Sequence, residues 1–448
     1  MPGSRYSPDS GALIMAVLEL DVFLEALPDP VGRLTRQGDG STSFRYLTDA
    51  LPHPLSLSLP LQEEPFGDPV TRSFFSNLLF ENMQREQIMQ RHGLDFSDVV
   101  GLLEHLGEDC PGAISRVPMG VGPAKTPGDL LKDYDPLDEA ELKRIMISLR
   151  DHRRVPDDTR DPSPLAGVQG KIALARLPDG RFALPKRGLN VPTTHILKIP
   201  RITEMTMVEQ EHLLMELMGE LQRHPVAPTS ILGEGPLRGL LVTRFDRIIE
   251  GASVRRVHQE DFAQALGLGP HLKYERNGAG AHRFSAEAIG GLLGQTENPG
   301  RARQAFLEVT LLNLLLGNTD NHAKNHALLY HSMRPLLAPV YDIAPVLIDD
   351  QVLHQLSFDI GKAQMTDEIT AENLTGFIGA LGFPRVTPAL RKRMQEIVRA
   401  TVGKISDMFG PARKRIGDVI SEQAKWLAVA LGMDIPVPEG DLIVINRP

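Results

Sequence analysis

Apolar and polar positions along the chain form blocks of different period, and the clearest change of period lies in the C-terminal half. Phe306 to Leu316 is almost entirely apolar and stops at Gly317, a common signal for the C-terminal end of a helix. A polar loop follows, and then two short apolar runs, Ala327 to Tyr330 and Leu336 to Val340, are separated by His-Ser-Met-Arg-Pro. This pattern predicts a buried helix, a polar loop and a β-hairpin, in that order.

A strand followed by an amphipathic helix is predicted nearer the middle of the chain. Thr194 to Ile199 alternates as a strand does, and Pro200 ends it. Lys198 interrupts the apolar positions, which costs free energy unless its charge is used or reaches solvent. Shortly afterwards, Val208 to Leu221 carries apolar residues at helical spacing together with four glutamates. We therefore predict a strand that delivers a lysine and a helix that brings glutamates near it.

The other apolar runs indicate the fold class. Strand-like pieces at Leu18 to Leu24 and Thr42 to Tyr46 begin the chain, and further alternations surround the predicted lysine strand. From Asp261 onward the pattern is mostly helical, with the hairpin inserted. A small antiparallel sheet with a packed helix, followed by a helical region, is typical of the α+β class.

Three polar residues in and beyond the loop have an order that phosphoryl transfer uses. Asp320 lies in the loop, Asn325 follows five positions later, and Asp342 lies after the hairpin. Protein kinases place their catalytic aspartate, metal-binding asparagine and metal-binding aspartate in this order, with the same Asp-to-Asn offset. One carboxylate orients the acceptor hydroxyl and takes its proton, and oxygen ligands hold Mg²⁺ against the phosphates of ATP. The sequence therefore predicts Asp320 as the catalytic residue and Asn325 and Asp342 as metal ligands.

A kinase also needs a lysine that holds the nucleotide phosphates and a helix glutamate that positions this lysine. Lys198 fits the first role. Glu211 is the predicted partner of Lys198, with Glu209 as the alternative. Solvated glutamates on an amphipathic helix would give the same pattern, so the pairing depends on how the helix packs.

Composition and charge narrow the class of protein. The chain has 448 residues, of which 42% are hydrophobic and 23% charged, so it is long enough for two or three lobes with cores of their own. A net charge of −9 argues against broad binding to nucleic acids or anionic membranes. The single cysteine, Cys110, provides no disulfide framework and no cysteine metal site. No apolar run is long enough to span a bilayer, so we expect no membrane partner. The lone cysteine is consistent with a reducing cytoplasm, where we expect the protein to be.

The ordered series of short motifs resembles the HipA family of toxin serine/threonine kinases, the kinase half of bacterial type II toxin–antitoxin pairs. The resemblance covers roughly residues 15 to 400. The matching segments are PLSLSLPLQ (Pro54 to Gln62), FFSNLL (Phe74 to Leu79), LAGVQGK (Leu165 to Lys171), PTTHILKIP (Pro192 to Pro200), TRFDR (Thr243 to Arg247), HQEDFAQALGL (His258 to Leu268), LKYE (Leu272 to Glu275), TDNHAKN (Thr319 to Asn325) and YDIAP (Tyr341 to Pro345).

The resemblance implies a protein-kinase-like fold of two lobes, an N-terminal lobe with antiparallel β-sheets and a mostly helical C-terminal lobe. Residues 1–14 are rich in Pro, Gly and Ser and are expected to be disordered. We predict an N-terminal subdomain at residues 15–125 and a linker with a helix at 126–164. The nucleotide-binding part of the N-terminal lobe is predicted at residues 165–255, and the helical catalytic lobe at 256–448.

The resemblance also assigns roles to individual residues. In the catalytic loop, the matching residues are Asp320, His322 and Lys324. The residues that would bind ATP are Lys198 with Glu211, the phosphate-loop residues Ala166, Gly167, Gln169 and Lys171, and the backbone of Arg244 and Phe245, which would meet adenine at the hinge. Asn325 and Asp342 match the family's Mg²⁺ ligands.

Substrate and partners follow from the resemblance alone. Known members of the family transfer phosphate from ATP to a Ser or Thr of a protein, and they modify aminoacyl-tRNA synthetases, glutamyl-tRNA synthetase among them, which stalls translation and growth. The resemblance therefore implies an ATP- and Mg²⁺-dependent toxin of the bacterial cytoplasm. Its partner would be a HipB-like helix-turn-helix antitoxin, bound as a dimer in a heterotetramer, that holds the kinase inactive and itself makes the main contacts with operator DNA.

The sequence departs from the family at its regulatory serine. Family members carry a serine just before the Ala-Gly-x-Gln segment, and autophosphorylation of this serine silences the kinase. Counting back from Ala166, this position is Pro164 here, and Ser163 lies one residue earlier. Because a proline fixes φ and removes an amide donor, the local backbone differs. Two interpretations stay open: Ser163 is phosphorylated through a one-residue shift, or it belongs to a plain Ser-Pro turn.

Two other functions fit parts of the sequence. His322 and His326 have the spacing that places two imidazoles on one helix face for zinc, but the segment lacks the glutamate of a metalloprotease helix and need not be helical. The stronger alternative is a catalytically weak or inactive relative that acts as a corepressor with a DNA-binding antitoxin. Every catalytic and nucleotide-binding side chain is present, so only the altered phosphate loop supports this alternative.

Overall fold

The computed structural model describes residues 16–79, 89–106, 111–156, 158–159 and 169–448. Predictions for residues 1–14, Cys110, Ser163, Pro164, Ala166 and Gly167 lie outside these ranges. None of the helices among the described residues is long and apolar enough to cross a membrane.

The strands of the described residues are β1 (Leu18–Leu24), β2 (Gly32–Arg36), β3 (Thr42–Tyr46), β4 (Ile114–Pro118), β5 (Gly128–Asp129), β6 (Tyr134–Pro136), β7 (Gly170–Arg176), β8 (Phe182–Pro185), β9 (His195–Ile199), β10 (Thr229–Glu234), β11 (Leu237–Thr243), β12 (Arg247–Glu250), β13 (Ser253–Arg256), β14 (His258–Asp261), β15 (Ala327–Tyr330) and β16 (Leu336–Leu337). The helices are α1 (Asp68–Ser76), α2 (Val99–Leu106), α3 (Glu139–His152), α4 (Thr206–Leu221), α5 (Phe262–Ala265), α6 (Ala286–Leu293), α7 (Pro299–Leu316), α8 (Ala371–Ala380), α9 (Pro388–Gly403) and α10 (Pro411–Ala430).

In its described residues, the N-terminal subdomain contains a four-stranded antiparallel sheet and two helices. Its strand order is β3-β2-β1-β4, and α1 and α2 pack against it. Buried and more exposed positions alternate in β2 and β3, because one face of the sheet covers a core that includes Leu20, Phe44 and Phe74. The strands predicted at Leu18–Leu24 and Thr42–Tyr46 have the predicted bounds.

A six-stranded antiparallel sheet, of order β10-β11-β9-β7-β8-β6, forms the second layer. Ile145, Met146 and Leu149 of α3 pack on apolar residues of β7, β9 and β11. Asp138 caps α3, accepting from the Glu141 amide at 2.8 Å. Residues 126–164, interpreted from the sequence as a linker and helix, thus contribute a strand of this sheet (β6) and the helix that covers it.

The C-terminal part has its own large helical core. The helix α7 lies at the centre of this core, where it contacts α4, α9 and α10. Leu214, Leu217 and Met218 of α4 belong to this core, although α4 also packs against β10 and β11. The antiparallel sheets and the helical C-terminal part confirm the predicted α+β class, and α4 ties the sheet to the helical lobe.

The N-terminal subdomain is joined to the rest of the described chain by buried polar contacts. Glu260 of β14 accepts hydrogen bonds from the Ser56 hydroxyl and, at 3.0 Å, from the Leu57 amide. Ser58 Oγ donates to the Gln264 carbonyl at 2.7 Å, and Arg256 forms a buried ion pair with Glu25 at 2.7 Å. These contacts place the subdomain against the strand that leads to α5.

Candidate active site

A cavity of about 850 Å³ lies where the six-stranded sheet, the helical lobe and the N-terminal subdomain meet. This volume is within the range of a small-molecule site, roughly 300–1,000 Å³. Of the predicted site residues that the structure describes, all but Gln169 line it: Lys171, Lys198, Glu211, Arg244, Phe245, Asp320, His322, Lys324, Asn325 and Asp342.

Lys198 is bonded to two carboxylates from different parts of the chain. Its Nζ donates to Glu211 Oε1 and to Asp342 Oδ1, both at 2.6 Å. The strand β9 holds Lys198 in the middle of the sheet, opposite Lys171 of β7 and Leu240 of β11, and α4 carries Glu211 past it. Glu209, the alternative partner, instead bonds to Arg238. The structure thus brings Lys198 together with Glu211 rather than with Glu209.

These contacts shift the pKa values of all three groups. Burial disfavours the Lys198 ammonium, but the carboxylates of Asp342 and Glu211 outweigh it, so the pKa of Lys198 is raised. The attraction of Lys198 lowers the pKa of Asp342 to about 2, and burial raises the pKa of Glu211. Half of the Asp342 side chain faces the open cavity, so solvent weakens its pairing with Lys198. At neutral pH Lys198 and Asp342 are therefore charged.

A second lysine adds positive charge to the same wall. Lys171 is paired across the sheet with Lys198, and burial, with the repulsion of Lys198, lowers the pKa of its ammonium to about 8. Two cations this close favour an anionic ligand between them, such as a chain of phosphates.

The loop that carries Asp320 is held in place from several directions. The preceding helix α7 ends at Gly317, whose φ of 74° turns the chain sharply. Ser357 Oγ donates to the Thr319 carbonyl at 2.8 Å, and Asn325 Nδ2 donates to the Asp320 carbonyl at 2.9 Å. Tyr274 donates its hydroxyl to Asp320 Oδ1 at 2.7 Å. The Asp320 carboxylate therefore faces the cavity on a braced loop.

Lys324 is tied to the N-terminal subdomain. Its Nζ donates to Asp261 Oδ2 at 2.9 Å and to Asn77 Oδ1 at 3.0 Å, and a longer bond of 3.2 Å reaches the Asn77 carbonyl. Asn77, which caps α1, also donates to the Leu268 carbonyl at 2.7 Å. The N-terminal subdomain is thereby in direct contact with the predicted catalytic loop.

The two histidines of this loop face different surroundings. His322 lines the cavity with its ring edge-on to Tyr274, at 5.2 Å between centroids. His326 is buried against Phe262 and Phe306 and does not line the cavity. Burial lowers the pKa of both imidazoles, that of His326 to about 3. A single 3₁₀ turn (Ala323–Asn325) separates them rather than an α-helix, so they do not share a helix face as a zinc pair would.

The oxygen atoms of Asn325 and Asp342 suit a magnesium ion. The amide nitrogen of Asn325 is used by the loop, which leaves its Oδ1 as the ligand atom, and Asp342 Oδ1 is used by Lys198, which leaves Oδ2. Mg²⁺ prefers hard oxygen ligands and typically takes one or two from the protein, the rest from water and phosphates. Asp342 has a φ of 58°, a left-handed conformation rare outside glycine, and such strain is concentrated at functional sites.

The residues of the predicted hinge, Arg244 and Phe245, line the cavity. The Arg244 amide donates to the Thr194 carbonyl at 3.0 Å, and the Arg244 guanidinium pairs with Asp246 at 2.9 Å. The Phe245 ring packs on Tyr341, 5.3 Å between centroids. The Arg244 side chain is therefore occupied by the protein, and Phe245 supplies an apolar surface.

Sequence reasoning missed the residues that support the site from a distance. Tyr274 lies in the motif LKYE, but this motif carried no role, and Asn77 lies in FFSNLL, far away in the sequence. Their hydrogen-bonding side chains are ordinary by type, so only the folded chain shows what they contact.

Comparison with known proteins places both halves of the chain. Residues 163–409 match the family model of the HipA-like C-terminal domain, and residues 20–117 match that of the HipA N-terminal domain. The protein Y4mE of Sinorhizobium fredii is 33% identical over 84% of this chain and 89% of Y4mE. The serine/threonine-protein kinase toxin HipA of Shewanella oneidensis is 31% identical over 74% of this chain and 76% of that protein.

A solved structure agrees with the predicted fold. HipA from a complex of the Shewanella oneidensis MR-1 toxin–antitoxin system, which contains HipA, HipB and operator DNA, superposes with a TM-score of 0.74. The match has 27% sequence identity and covers 92% of this chain and 98% of the other. It confirms the predicted two-lobed, kinase-like fold. With one family model matching more than half of the chain and a second matching its N-terminal part, the chain belongs to the HipA family.

Proposed function

We propose that this chain is a protein serine/threonine kinase that uses ATP and Mg²⁺. The observation that carries the proposal is the contact of Lys198 with both Glu211 and Asp342, in a cavity that Asp320 and Asn325 also line. Phosphoryl transfer needs a positioned cation, oxygen ligands for a metal and a carboxylate for the acceptor, and this cavity contains each of them. The names of relatives, among them a kinase toxin, support the same reaction.

The roles follow from position and charge. Lys198 and Lys171 bind the phosphates, and the backbone at Arg244 and Phe245 meets the adenine ring. Asn325 and Asp342 hold the magnesium ion, which supplies charge neutralisation at the phosphates when bound. Asp320 orients the acceptor hydroxyl and takes its proton.

His322 and Lys324 keep the catalytic loop in shape rather than touching the reacting atoms. The Lys324 ammonium is fully engaged by Asp261 and Asn77, and the His322 ring packs on Tyr274. The proposed phosphate loop includes Ser163, Ala166 and Gly167, which lie outside the described residues. It also includes Gln169, which does not line the cavity. Autophosphorylation at Ser163 belongs to the same proposal.

The biological setting is proposed from the relatives. A HipA of known structure was solved with HipB and operator DNA, which supports a HipB-like antitoxin as partner, with DNA bound mainly by the antitoxin. A protein substrate such as an aminoacyl-tRNA synthetase, inhibition of translation and growth, and a place in the bacterial cytoplasm belong to the same proposal. The divisions at residues 15–125, 126–164, 165–255 and 256–448 are proposed as its subdomains.

The test is transfer of label from γ-labelled ATP, with Mg²⁺, to the proteins of a bacterial extract. Wild type is compared with Asp320→Asn, which keeps the shape of the side chain but cannot take a proton. The control is Asp135→Asn, the same change at an exposed position outside the cavity. We expect label with wild type and the control, and a loss of roughly 10²–10⁴-fold with Asp320→Asn.

Two outcomes would contradict the proposal. Equal labelling by Asp320→Asn would show that Asp320 does not have the catalytic role. Absence of label in every lane, with ATP still bound, would favour an inactive subunit that acts as a corepressor.

A further inference from the structure

Tyr274 makes the one direct side-chain hydrogen bond to the Asp320 carboxylate that is seen in the described part of the chain. Its hydroxyl donates to Oδ1 at 2.7 Å, across a separation of 46 residues in sequence. Tyrosine is a donor here, because an ionised carboxylate can only accept. One oxygen of the predicted catalytic carboxylate is therefore already occupied before any acceptor arrives.

The phenol itself is held firmly. The Arg276 guanidinium lies over its ring at 4.0 Å from the centroid, and His322 packs edge-on to it at 5.2 Å. The backbone on either side is also fixed, since the Lys273 carbonyl accepts from the Ala323 amide at 3.0 Å and the Glu275 amide donates to the Ser357 carbonyl at 2.8 Å. A donor braced in this way restricts rotation of the Asp320 carboxylate.

We propose that Tyr274 is a positioning residue, which fixes Asp320 so that only Oδ2 is presented to the acceptor hydroxyl. This inference rests on the proposed kinase function. In the transfer step, the acceptor oxygen forms a bond to the γ-phosphorus, and the bond from this phosphorus to the bridging oxygen of ADP breaks. The electron pair of that bond stays on ADP, and the acceptor proton moves to Asp320 Oδ2.

The consequence is a separation between binding and turnover. Tyr274 is not among the residues that line the cavity, and the hydrogen bond from its hydroxyl goes to Asp320 Oδ1. Removing its hydroxyl therefore leaves the ATP-binding groups intact, while the carboxylate gains freedom to turn. A misplaced catalytic group of this kind lowers the rate without changing affinity for the nucleotide.

The experiment compares wild type with Tyr274→Phe, which keeps the ring and its packing. The readouts are the maximum rate of labelling of extract proteins from γ-labelled ATP, the KM for ATP and the Kd for ATP. We expect the maximum rate to fall roughly 10- to 100-fold, with KM and Kd for ATP unchanged. The matched control is Tyr134→Phe, whose buried hydroxyl donates to the Pro192 carbonyl at 2.6 Å outside the cavity, and we expect its rate to stay at the wild-type level.

A second measurement does not depend on activity. Thermal unfolding midpoints of wild type, Tyr274→Phe, Asp320→Ala and the double variant form a cycle, and a direct bond makes the two single shifts non-additive. A wild-type rate in Tyr274→Phe, or additive shifts in the cycle, would overturn the proposal. If wild type transfers no label, the kinase function fails and the positioning role fails with it, whereas non-additive shifts would still establish the contact itself.

Discussion

Lys198 determines the charge balance of the cavity, because its ammonium faces two carboxylates. Both Glu211 and Asp342 lie at 2.6 Å, and the side chains of Lys198 and Glu211 are 12% and 14% exposed. Charges that are this poorly solvated are stable only while they are paired. The lysine that we propose to bind the nucleotide therefore also keeps Glu211 from becoming an unpaired buried charge.

We expect Lys198→Met to abolish ATP binding and to lower the free energy of unfolding at pH 7 by about 3–5 kcal/mol, because Glu211 loses its cation. The double variant Lys198→Met/Glu211→Gln should recover most of this stability but no ATP binding. Urea unfolding and calorimetric titration with ATP measure the two effects. Lys132→Met, at the exposed ion pair with Asp129, is the control and should leave the free energy of unfolding nearly unchanged. Failure of the double variant to recover stability would contradict the pairing argument.

The sequence could predict the order of the chemical groups but not all of their contacts. Asp320, Asn325 and Asp342 were found because their spacing follows from one loop and one hairpin. The choice of Glu211 over Glu209 needed the helix to be placed, since residues two positions apart on a helix point in different directions. Tyr274 gave no signal of its own, because its contact with Asp320 depends on how two distant segments pack.

The bounds of strands were predicted well where apolar and polar residues alternate over several positions. They were predicted less well where the apolar run is short. The strands at residues 18–24, 42–46 and 327–330 have the predicted bounds, and the lysine strand differs by one residue. The run Leu336 to Val340 was predicted as one strand, but β16 ends at Leu337. Val340 pairs instead with Val226, in parallel, beyond the end of the hairpin. An apolar run shows that residues are buried, but it does not show which neighbour they pair with.

Gly317 gives an element-scale prediction, because it ends α7 immediately before the catalytic loop. Its φ is 74°, and a Cβ there would lie 2.6 Å from Val419 Cγ1. We expect Gly317→Ala to lower the free energy of unfolding by about 2–4 kcal/mol, since left-handed strain and overpacking both act. Denaturant unfolding measures the loss.

The control for Gly317→Ala lies on the same helix. Gly300 lies in the first turn of α7, and a Cβ added there would have no atom from outside its own helical turn within 4 Å. Gly300→Ala should be neutral or stabilise by up to about 1 kcal/mol, because alanine is the better helix former. Equal stability of the two variants would show that Gly317 is not required at the helix end.

At the scale of the whole molecule, the N-terminal subdomain contacts the proposed active site directly. Asn77 accepts a hydrogen bond from Lys324 of the predicted catalytic loop. Ser56 and Leu57 donate to Glu260, and the next residue, Asp261, accepts from Lys324. Two separate routes thus connect this subdomain to one lysine. Anything that shifts the subdomain would shift the loop that carries Asp320.

Glu260 makes this junction sensitive to pH. It is 1% exposed and also accepts from the Tyr330 hydroxyl, and burial raises its pKa to about 7 despite these donors. The folded state therefore favours the protonated carboxyl. A raised pKa means that the contribution of Glu260 to stability is full below its ordinary pKa of 4.5 and is lost as pH rises to about 7.

We expect the free energy of unfolding of wild type to fall between pH 5 and pH 8, relative to Glu260→Gln, by up to about 3 kcal/mol. The buried His53 and His258 have lowered pKa values, so they raise stability as pH rises, but they do so equally in both proteins. The quantity to compare is the free energy of unfolding of wild type minus that of Glu260→Gln at each pH. Urea unfolding at each pH measures it, with Glu234→Gln as the exposed control. Parallel pH curves for wild type and Glu260→Gln would mean that Glu260 stays ionised when folded, held by Ser56, Leu57 and Tyr330. The contact between Glu260 and the N-terminal subdomain would then be independent of pH in this range. Diverging curves would instead mean that this contact is weakened as pH rises towards 7.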